Sequence, residues 1–346
     1  MREAATRTAG PPAGGQVMAA EMAQQPAVLA RLAARADAGA AAVRAVAPAP
    51  LAGVMFLARG SSDNAAVFGR YLAELEGGRP AGLAAPSIYT RYHAAVDWRG
   101  YLVVALSQSG ATPEILTTCQ AVRAAGATVI GITNEPGSPL AGAVDLVLAT
   151  DAGPERAVPA TKTVTAQLLL LAVVAAALAG NPQPQATASL AAVPGAVATV
   201  LADPGPAAGL AERWRGIDRL VVAGRGLGYP AALETALKVK EVTGILAEGI
   251  STADLRHGPI AAVYAGAPVL LVEASGPAAA DVSDLRVLLT RRQADTASLP
   301  VPAAVSETAQ VIAATVRGQQ LAWALARARG TDPDAPAHLT KVTVTS

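Results

Sequence analysis

Two stretches of this sequence match each other at a constant spacing. Residues 57–66, LARGSSDNAA, align with residues 223–232, AGRGLGYPAA, so that Arg59-Gly60 recurs as Arg225-Gly226. The same spacing of 166 positions carries Ser109-Gly110 onto Ser275-Gly276. Two matches at one offset indicate an internal duplication, which predicts two domains of the same fold.

Short apolar runs alternate with helical patterns in both halves of the chain. The runs are GVMFLA, YLVVAL, ATVIGIT and VDLVLA in the first half, and RLVVAG and APVLLVEA in the second. Apolar strands that alternate with helices are typical of βαβ units and of a parallel sheet buried on both faces. We therefore predict an α/β fold made of two tandem, doubly wound, flavodoxin-like domains.

The boundary between the domains is predicted at about residues 181–211. There the stretch NPQPQATASLAAVPGA replaces the strand pattern, and a further helix is expected before ADPGP. The run LLLLAVVAAALAG just before it is too short to span a bilayer and is interpreted as a buried helix. The predicted segments are a flexible tail (1–15), an N-terminal helix (16–48), the first domain (49–185), the second domain (211–330) and a C-terminal tail (331–346).

Composition excludes several classes of protein. Of 346 residues, 52% are apolar and the net charge is +1, which argues against a disordered chain and against a nucleic-acid surface. One cysteine, Cys119, and three histidines argue against a disulfide framework, a structural metal or another cofactor. No export signal is recognised in the first residues, so a cytoplasmic protein without membrane contact is expected.

The stretch SQSGATPE, residues 107–114, lies between an apolar strand and a helical pattern. The N-terminus of a helix attracts anions through its free N–H groups. Ser107, Ser109 and Thr112 add hydroxyl donors, and Gly110 allows close approach of a ligand. A phosphate monoester suits this loop, whereas the P-loop pattern for nucleotides is absent. The alternative is a helix cap, which needs only one such residue.

A second turn of this kind, GSSDN at residues 60–64, follows the first predicted strand. Ser61 and Ser62 can cap the next helix or contact a ligand. In a doubly wound sheet both turns lie at the carboxyl ends of strands, where ligands bind. Together the two turns predict one pocket for a phosphorylated sugar.

The motifs ARGSS, SQSGATPE, ERAVPATKT, GRGLGYPAALETALKVKE and LRHGP follow one another along the chain. This order resembles the double sugar-isomerase (SIS) domain family, and the similarity extends from residue 18 to the C-terminus. Within this family the chain resembles the isomerase half of glucosamine-6-phosphate synthase and the stand-alone glucosamine-6-phosphate deaminases.

The resemblance implies a set of site residues. Glu241 would be the base that moves a proton, with Lys238 on the same helix face, and Lys341 would close over the sugar. His257 would help to open the sugar ring and would come from the partner subunit, so the resemblance also implies a homodimer. The implied substrate-binding and phosphate-binding residues are Ser62, Ser107, Gln108, Ser109, Gly110, Thr112 and Val158.

Residue chemistry agrees with these roles but leaves alternatives. Moving a proton between adjacent carbons needs one base with access to both, and a carboxylate is suitable. Histidine transfers protons near neutral pH, as ring opening requires. Alternatively, Glu241 belongs to an ordinary amphipathic helix, His257 is a loop residue, and Lys341 is a solvated charge in the tail.

The expected reaction is conversion of glucosamine 6-phosphate to fructose 6-phosphate and ammonia. The chain shows no N-terminal glutaminase domain, so glutamine-dependent synthesis is not expected. Other aminosugar phosphates stay open, because Ala111 and Pro159-Ala160 depart from the residues usual in the synthases. The alternatives are another aldose–ketose isomerase, a fructosamine-6-phosphate deglycase, or a regulator that binds a phosphosugar without catalysis.

Overall fold

The computed structural model describes residues 14–180 and 187–341. Most of the predicted N-terminal tail, residues 1–13, and the last residues of the predicted C-terminal tail lie outside this range. The strands of the first half are β1 Gly53–Leu57, β2 Ala81–Leu83, β3 Tyr101–Leu106, β4 Thr128–Thr133 and β5 Leu146–Ala149. Those of the second half are β6 Arg219–Gly224, β7 Leu246–Ser251, β8 Pro268–Leu271 and β9 Asp295–Ser298.

The two halves contain parallel sheets of the same topology. The first sheet has the order β2-β1-β3-β4-β5, and the second has the order β7-β6-β8-β9. Every pairing in both sheets is parallel. Central strands such as β3 are buried almost throughout, because helices cover both faces of each sheet. The prediction of two tandem doubly wound α/β domains is confirmed.

Helices connect the strands and cover the sheets. Those up to the end of the first half are α1 Gln16–Ala23, α2 Gln25–Ala33, α3 Ala36–Val46, α4 Ser61–Leu75, α5 Ser87–Thr90, α6 Pro113–Ala124, α7 Pro139–Ala143 and α8 Lys162–Leu178. The others are α9 Val193–Ala202, α10 Gly205–Trp214, α11 Gly228–Thr243, α12 Thr252–Arg256, α13 Ala279–Arg291 and α14 Glu307–Ala328.

The single N-terminal helix predicted over residues 16–48 is wrong. Residues 16–46, all of which the structure describes, form the three helices α1, α2 and α3. Pro26 explains the first break, because proline has no N–H to donate to the carbonyl of Met22. The side-chain amide of Gln25 donates to that carbonyl instead, at 3.1 Å. Nothing in the structure explains the second break, at Ala34 and Arg35.

Helix α8 contains the predicted buried apolar run, and every one of its residues is buried. It lies in the core shared by the N-terminal helices, the first sheet and the second half. Within the described residues, no single helix is long and apolar enough to cross a membrane. One bent pair, Ala188–Ala202 with Gly205–Trp214, reaches the required length and composition together.

The guanidinium of Arg317 on α14 binds the segment that joins the two halves and the segment that follows β9. Arg317 is 4% exposed and donates to the carbonyls of Pro300, at 2.8 Å, and of Val200, at 3.2 Å. It also donates to the carbonyl of Asp203. Burial lowers the pKa of this guanidinium, and the nearby Asp203 carboxylate partly offsets the effect. One buried side chain therefore binds three backbone carbonyls that precede and follow the second sheet, and of these bonds the one to Val200 is fully buried.

We expect Arg317→Met to lower the free energy of unfolding by about 3 kcal/mol, because the carbonyls of Pro300 and Asp203 would lose a charged donor and the buried packing of the Arg317 side chain would change. Urea denaturation measures the change. Arg329→Met is the matched control, since Arg329 also donates to two carbonyls but from an exposed position. Its replacement should cost less than about 1 kcal/mol. Equal losses in the two variants would contradict the role given to the buried guanidinium.

Candidate functional site

A cleft of about 400 Å³ lies where the carboxyl ends of the first-half strands face helix α11 of the second half. Both halves and the C-terminal segment line it. The sequence-predicted residues in its wall are Ser62, Ser107, Gln108, Ser109, Thr112, Val158, Lys238, Glu241 and Lys341. Residues far apart in the chain are thus brought together in one place.

The loop after β3 is folded by its own hydroxyl groups. The N–H of Gly110 donates to Oγ of Ser107 at 3.1 Å, and the N–H of Ala111 donates to Oγ of Ser109 at 3.3 Å. Oγ of Ser107 also lies 3.3 Å from Oγ1 of Thr112. Accepting the backbone bonds occupies lone pairs only, so the hydroxyl of Ser109 and one of the two paired hydroxyls of Ser107 and Thr112 keep a hydrogen that can be donated to a ligand.

Helix α6 begins directly after this loop, with Thr112 at its N-cap position. The Thr112 side chain makes no capping hydrogen bond, so a role as a simple helix cap does not account for it. Gly110 does not line the cleft but shapes the loop. It has φ +60°, and a Cβ there would lie 2.0 Å from Oγ of Ser138. The first-turn N–H groups of α6 and the loop hydroxyls together suit an anion.

Ser62 lies in the first turn of α4, the helix that begins after the short loop following β1. It is 8% exposed, and its Oγ accepts from Nε2 of Gln167 at 3.1 Å. Gln167 belongs to the buried helix α8. This contact fixes the Ser62 side chain at the cleft wall and leaves its O–H hydrogen as a donor.

Three ionisable residues lie on one face of α11. Lys238 is 1% exposed and contacts Glu241 through Nζ and Oε2, while its Nζ lies 3.5 Å from Oε1 of Glu234. Nδ2 of Asn64, on α4, donates to Oε2 of Glu234 at 2.9 Å, which joins the two halves. Glu241 is the most accessible of the three, with 24% of its side chain exposed. A carboxylate is thereby held at the cleft surface by a buried ammonium.

Burial and mutual charge act in opposite directions on this group. Burial raises the pKa of the Glu234 carboxyl, and the ammonium of Lys238 only partly offsets this effect. Burial alone would lower the pKa of Lys238, but the carboxylates of Glu234 and Glu241 outweigh it, so this pKa is raised. One ammonium cannot neutralise two carboxylates fully, so the pKa of the buried Glu234 carboxyl stays raised despite its contact with Lys238.

The C-terminal segment reaches the cleft through Lys341. Its Nζ donates to Oε2 of Glu155 at 3.1 Å and to the carbonyl of Ala157 at 2.7 Å. The Glu155 side chain is fully buried and also accepts from the N–H of Thr161, at 2.9 Å, and from Oγ1 of Thr163, at 2.7 Å. Glu155 thus ties the loop that carries Val158 to the C-terminal segment.

Arg59 is a cleft residue that sequence reasoning did not assign to the site. Its Nε and Nη2 each donate to one carboxylate oxygen of Glu114, both at 3.0 Å. Each cation in the cleft wall is therefore paired with a buried carboxylate. The pairs are Arg59 with Glu114, Lys238 with Glu234 and Lys341 with Glu155. The sequence signals for Arg59 were its place in the motif ARGSS and its recurrence as Arg225 in the second half.

We expect Glu155→Gln to lower the free energy of unfolding by about 2 kcal/mol, because an amide nitrogen would replace an oxygen that accepts hydrogen bonds. The same change should raise the KM for the phosphosugar that the sequence predicts as the substrate, since Lys341 and the Val158 loop lose their common partner. Thermal denaturation and steady-state kinetics measure the two effects. A variant with unchanged stability and unchanged KM would contradict the role described for Glu155.

The corresponding loop in the second half is occupied by helix α14. The N–H of Ser275 donates to Oε1 of Gln310 at 2.6 Å. The carboxylate of Glu307 lies beside Gly276, so close that a Cβ on this glycine would lie 2.2 Å from Oε2. In the second half, side-chain oxygens of Gln310 and Glu307 lie against the loop. The corresponding loop of the first half lines the cleft instead. The duplication has therefore kept one open loop of this type.

His257 is not among the residues that line the cleft. It follows α12 in an exposed segment of the second half. Within one chain the cleft therefore contains the predicted base but not the predicted ring-opening histidine. Among the described residues, no group of three or more His, Cys, Asp or Glu side chains is arranged to hold a metal ion.

Comparison with protein families matches two segments of the chain. The model of the SIS domain covers residues 53–177 and 215–301, which together contain both sheets. The glutamine--fructose-6-phosphate aminotransferase [isomerizing] of Mycobacterium tuberculosis is 35% identical over 315 residues. This match covers 83% of the chain but 50% of the relative, so the chain spans about half the length of the curated relatives it matches.

Solved structures with the same fold are also found. The C-terminal domain of glucosamine-fructose-6-phosphate aminotransferase from Francisella tularensis superposes with a TM-score of 0.85 over 93% of this chain and 98% of that one. At 24% identity it supports the fold alone. Glucosamine-6-phosphate deaminase from Thermotoga maritima has a TM-score of 0.75 and 25% identity, and covers 95% of this chain and 100% of that one.

Proposed function

The chain belongs to the SIS-domain family, and from that premise we propose that it is a phosphosugar deaminase and isomerase. Its substrate in this proposal is glucosamine 6-phosphate, and its products are fructose 6-phosphate and ammonia. One observation carries the proposal: the cleft combines an open, hydroxyl-rich loop from the first half with the Lys238–Glu241 pair from the second. Such a cleft holds a phosphate at one end and a base at the other.

The phosphate is bound by the loop between β3 and α6. The hydroxyls of Ser107, Ser109 and Thr112 and the first N–H groups of α6 donate to its oxygens. Gln108 lines the same part of the cleft. Ser62 and Val158 contact the sugar from the walls. This network binds the phosphoryl group mainly through neutral donors, which suits a monoester rather than a nucleotide.

Glu241 is the base that moves the proton. It removes the hydrogen from carbon 2 of the open-chain aminosugar and delivers a proton to carbon 1. The result is a ketimine at carbon 2, and attack by water on this carbon releases ammonia and leaves the ketone of fructose 6-phosphate. Lys238 holds the Glu241 carboxylate in position, and Lys341 closes the cleft over the sugar.

Opening of the sugar ring is assigned to His257 of the partner subunit. The motif resemblance supports this role, and the absence of His257 from the cleft wall of its own chain is consistent with it. Histidine is suited to proton transfer near neutral pH. In this proposal the functional unit is a homodimer in which each cleft receives a histidine from the other subunit.

The proposal is tested by incubating the purified protein separately with glucosamine 6-phosphate, galactosamine 6-phosphate and fructosamine 6-phosphate. Ammonia is measured with glutamate dehydrogenase, and fructose 6-phosphate with coupled glucose-6-phosphate isomerase. We expect both products in equal amounts from glucosamine 6-phosphate. Interconversion of unaminated aldose and ketose phosphates, without ammonia from any aminosugar, would instead identify a plain isomerase. Binding without turnover of any of these sugars would identify a non-catalytic phosphosugar-binding protein.

A further inference from the structure

We propose that Arg59 is a phosphate-binding residue that adds one charged donor to an otherwise neutral loop. The proposal rests on the proposed function, because it concerns the phosphate of the sugar that the cleft binds. Arg59 lines the cleft together with Ser107, Ser109 and Thr112. Its side chain is 44% exposed, whereas that of its partner Glu114 is 9% exposed, so the guanidinium lies on the cleft side of the pair.

The pairing with Glu114 uses only part of the guanidinium. Nε and Nη2 donate to the two carboxylate oxygens, so the two N–H groups of Nη1 are not used by this pair. A bidentate pair also holds the guanidinium plane in one orientation. The remaining edge is therefore prepositioned for a second anion, and a phosphate oxygen is the anion that the neighbouring loop is built to bind.

The position of Glu114 gives its ion pair with Arg59 a second role. Its carboxylate lies in the first turn of α6, the helix whose N-terminus faces the phosphate. An unpaired carboxylate in this position would repel the phosphate. Arg59 neutralises Glu114 and simultaneously presents a cation to the cleft. The first-half loop can thus bind a doubly charged phosphate although the carboxylate of Glu114 is buried nearby.

The second half provides a matched comparison. Arg225 is the duplicate of Arg59, and its Nε donates to Oδ2 of Asp281 at 2.9 Å, in the first turn of α13. The ion pair therefore recurs at the same point of the fold. Arg225 does not line the cleft, and its neighbouring loop is occupied by Gln310 and Glu307. Replacing Arg225 removes the corresponding ion pair, which has one hydrogen bond and a more exposed carboxylate, without touching the cleft.

The test measures the Kd of glucosamine 6-phosphate by calorimetry for the wild type, Arg59→Met and Arg225→Met. We expect Arg59→Met to weaken binding about 30-fold, as the loss of one charged hydrogen bond predicts. Arg225→Met should leave the Kd within about two-fold of the wild type. Equal Kd values for Arg59→Met and the wild type would overturn the role of Arg59 and leave the proposed function intact. A wild-type protein that binds no phosphosugar in the panel would overturn both.

The double variant Arg59→Met/Glu114→Gln separates the two effects of Arg59. If Arg59 donates to the phosphate, the double variant should bind almost as weakly as Arg59→Met. Return of the double variant to wild-type affinity would show that Arg59 acts only by masking Glu114, and would overturn the direct contact. Thermal denaturation of all variants confirms that they are folded under the conditions of the titration.

Discussion

Replacement of Glu241 by glutamine should reduce kcat about 1,000-fold, which is the range of a lost general base. The amide has almost the same shape and can still contact Lys238, so the helix and the cleft wall should be retained. The Kd for glucosamine 6-phosphate should stay within a few-fold of the wild type, because the phosphate is held by the other half. Coupled assays of ammonia release and calorimetry measure the two quantities.

Glu212→Gln is the control, since Glu212 is an exposed helical glutamate on α10 outside the cleft. It should have the kcat of the wild type. The role of Glu241 would be contradicted by a Glu241→Gln variant with full turnover. It would also be contradicted by a variant that loses affinity and turnover together, because that pattern indicates damage to the cleft.

Replacement of His257 by alanine should reduce kcat about 100-fold, and the loss should be reversible by mixing subunits. In a mixed dimer of Glu241→Gln and His257→Ala chains, one cleft has its own Glu241 and receives His257 of the partner subunit. Random exchange of equal amounts makes half of the dimers mixed, so activity should recover to about a quarter of the wild type. Each variant alone should keep its own reduced activity after the same treatment.

Exchange of subunits must be followed independently, for example by native mass spectrometry of chains that differ in mass. Confirmed exchange without recovery would mean that His257 acts within its own chain or not at all. A protein that is monomeric at the assay concentration, with full activity, would exclude the shared site altogether.

The fold could be predicted from the sequence because its central strands are buried on both faces. Such strands are continuous apolar runs, and YLVVAL became β3 while RLVVAG became β6. The edge strands β2, β7 and β9 were not recognised. They are short or partly exposed, as in β7, where Leu246 and Glu248 are exposed, so their sequences lack a continuous apolar run.

The cleft residues could be predicted as far as they belong to local motifs. Ser107 and Glu241 line the same cleft because the carboxyl ends of the strands in one half face α11 of the other. The roles assigned to them stay predictions. The buried carboxylates Glu114, Glu155 and Glu234 were not recognised, because nothing local distinguishes a glutamate that is buried behind a cation from one on a solvated helix.

Contacts between distant segments could not be predicted from the sequence, because no local pattern indicates them. Asp334 in the C-terminal segment accepts from the N–H groups of Gly15 and Met18 at the start of α1, at 2.8 and 2.7 Å. Its own carbonyl accepts from the N–H of Val158 at 2.9 Å. Three parts of the chain meet there, and only the folded arrangement identifies Asp334 as their link.

A crystal structure of the Glu241→Gln variant with glucosamine 6-phosphate tests the central claim most directly. We expect the phosphoryl oxygens within hydrogen-bonding distance of the hydroxyls of Ser107, Ser109 and Thr112, with residue 241 beside carbons 1 and 2. A phosphate bound elsewhere, or a residue 241 side chain that faces solvent away from both carbons, would contradict the account.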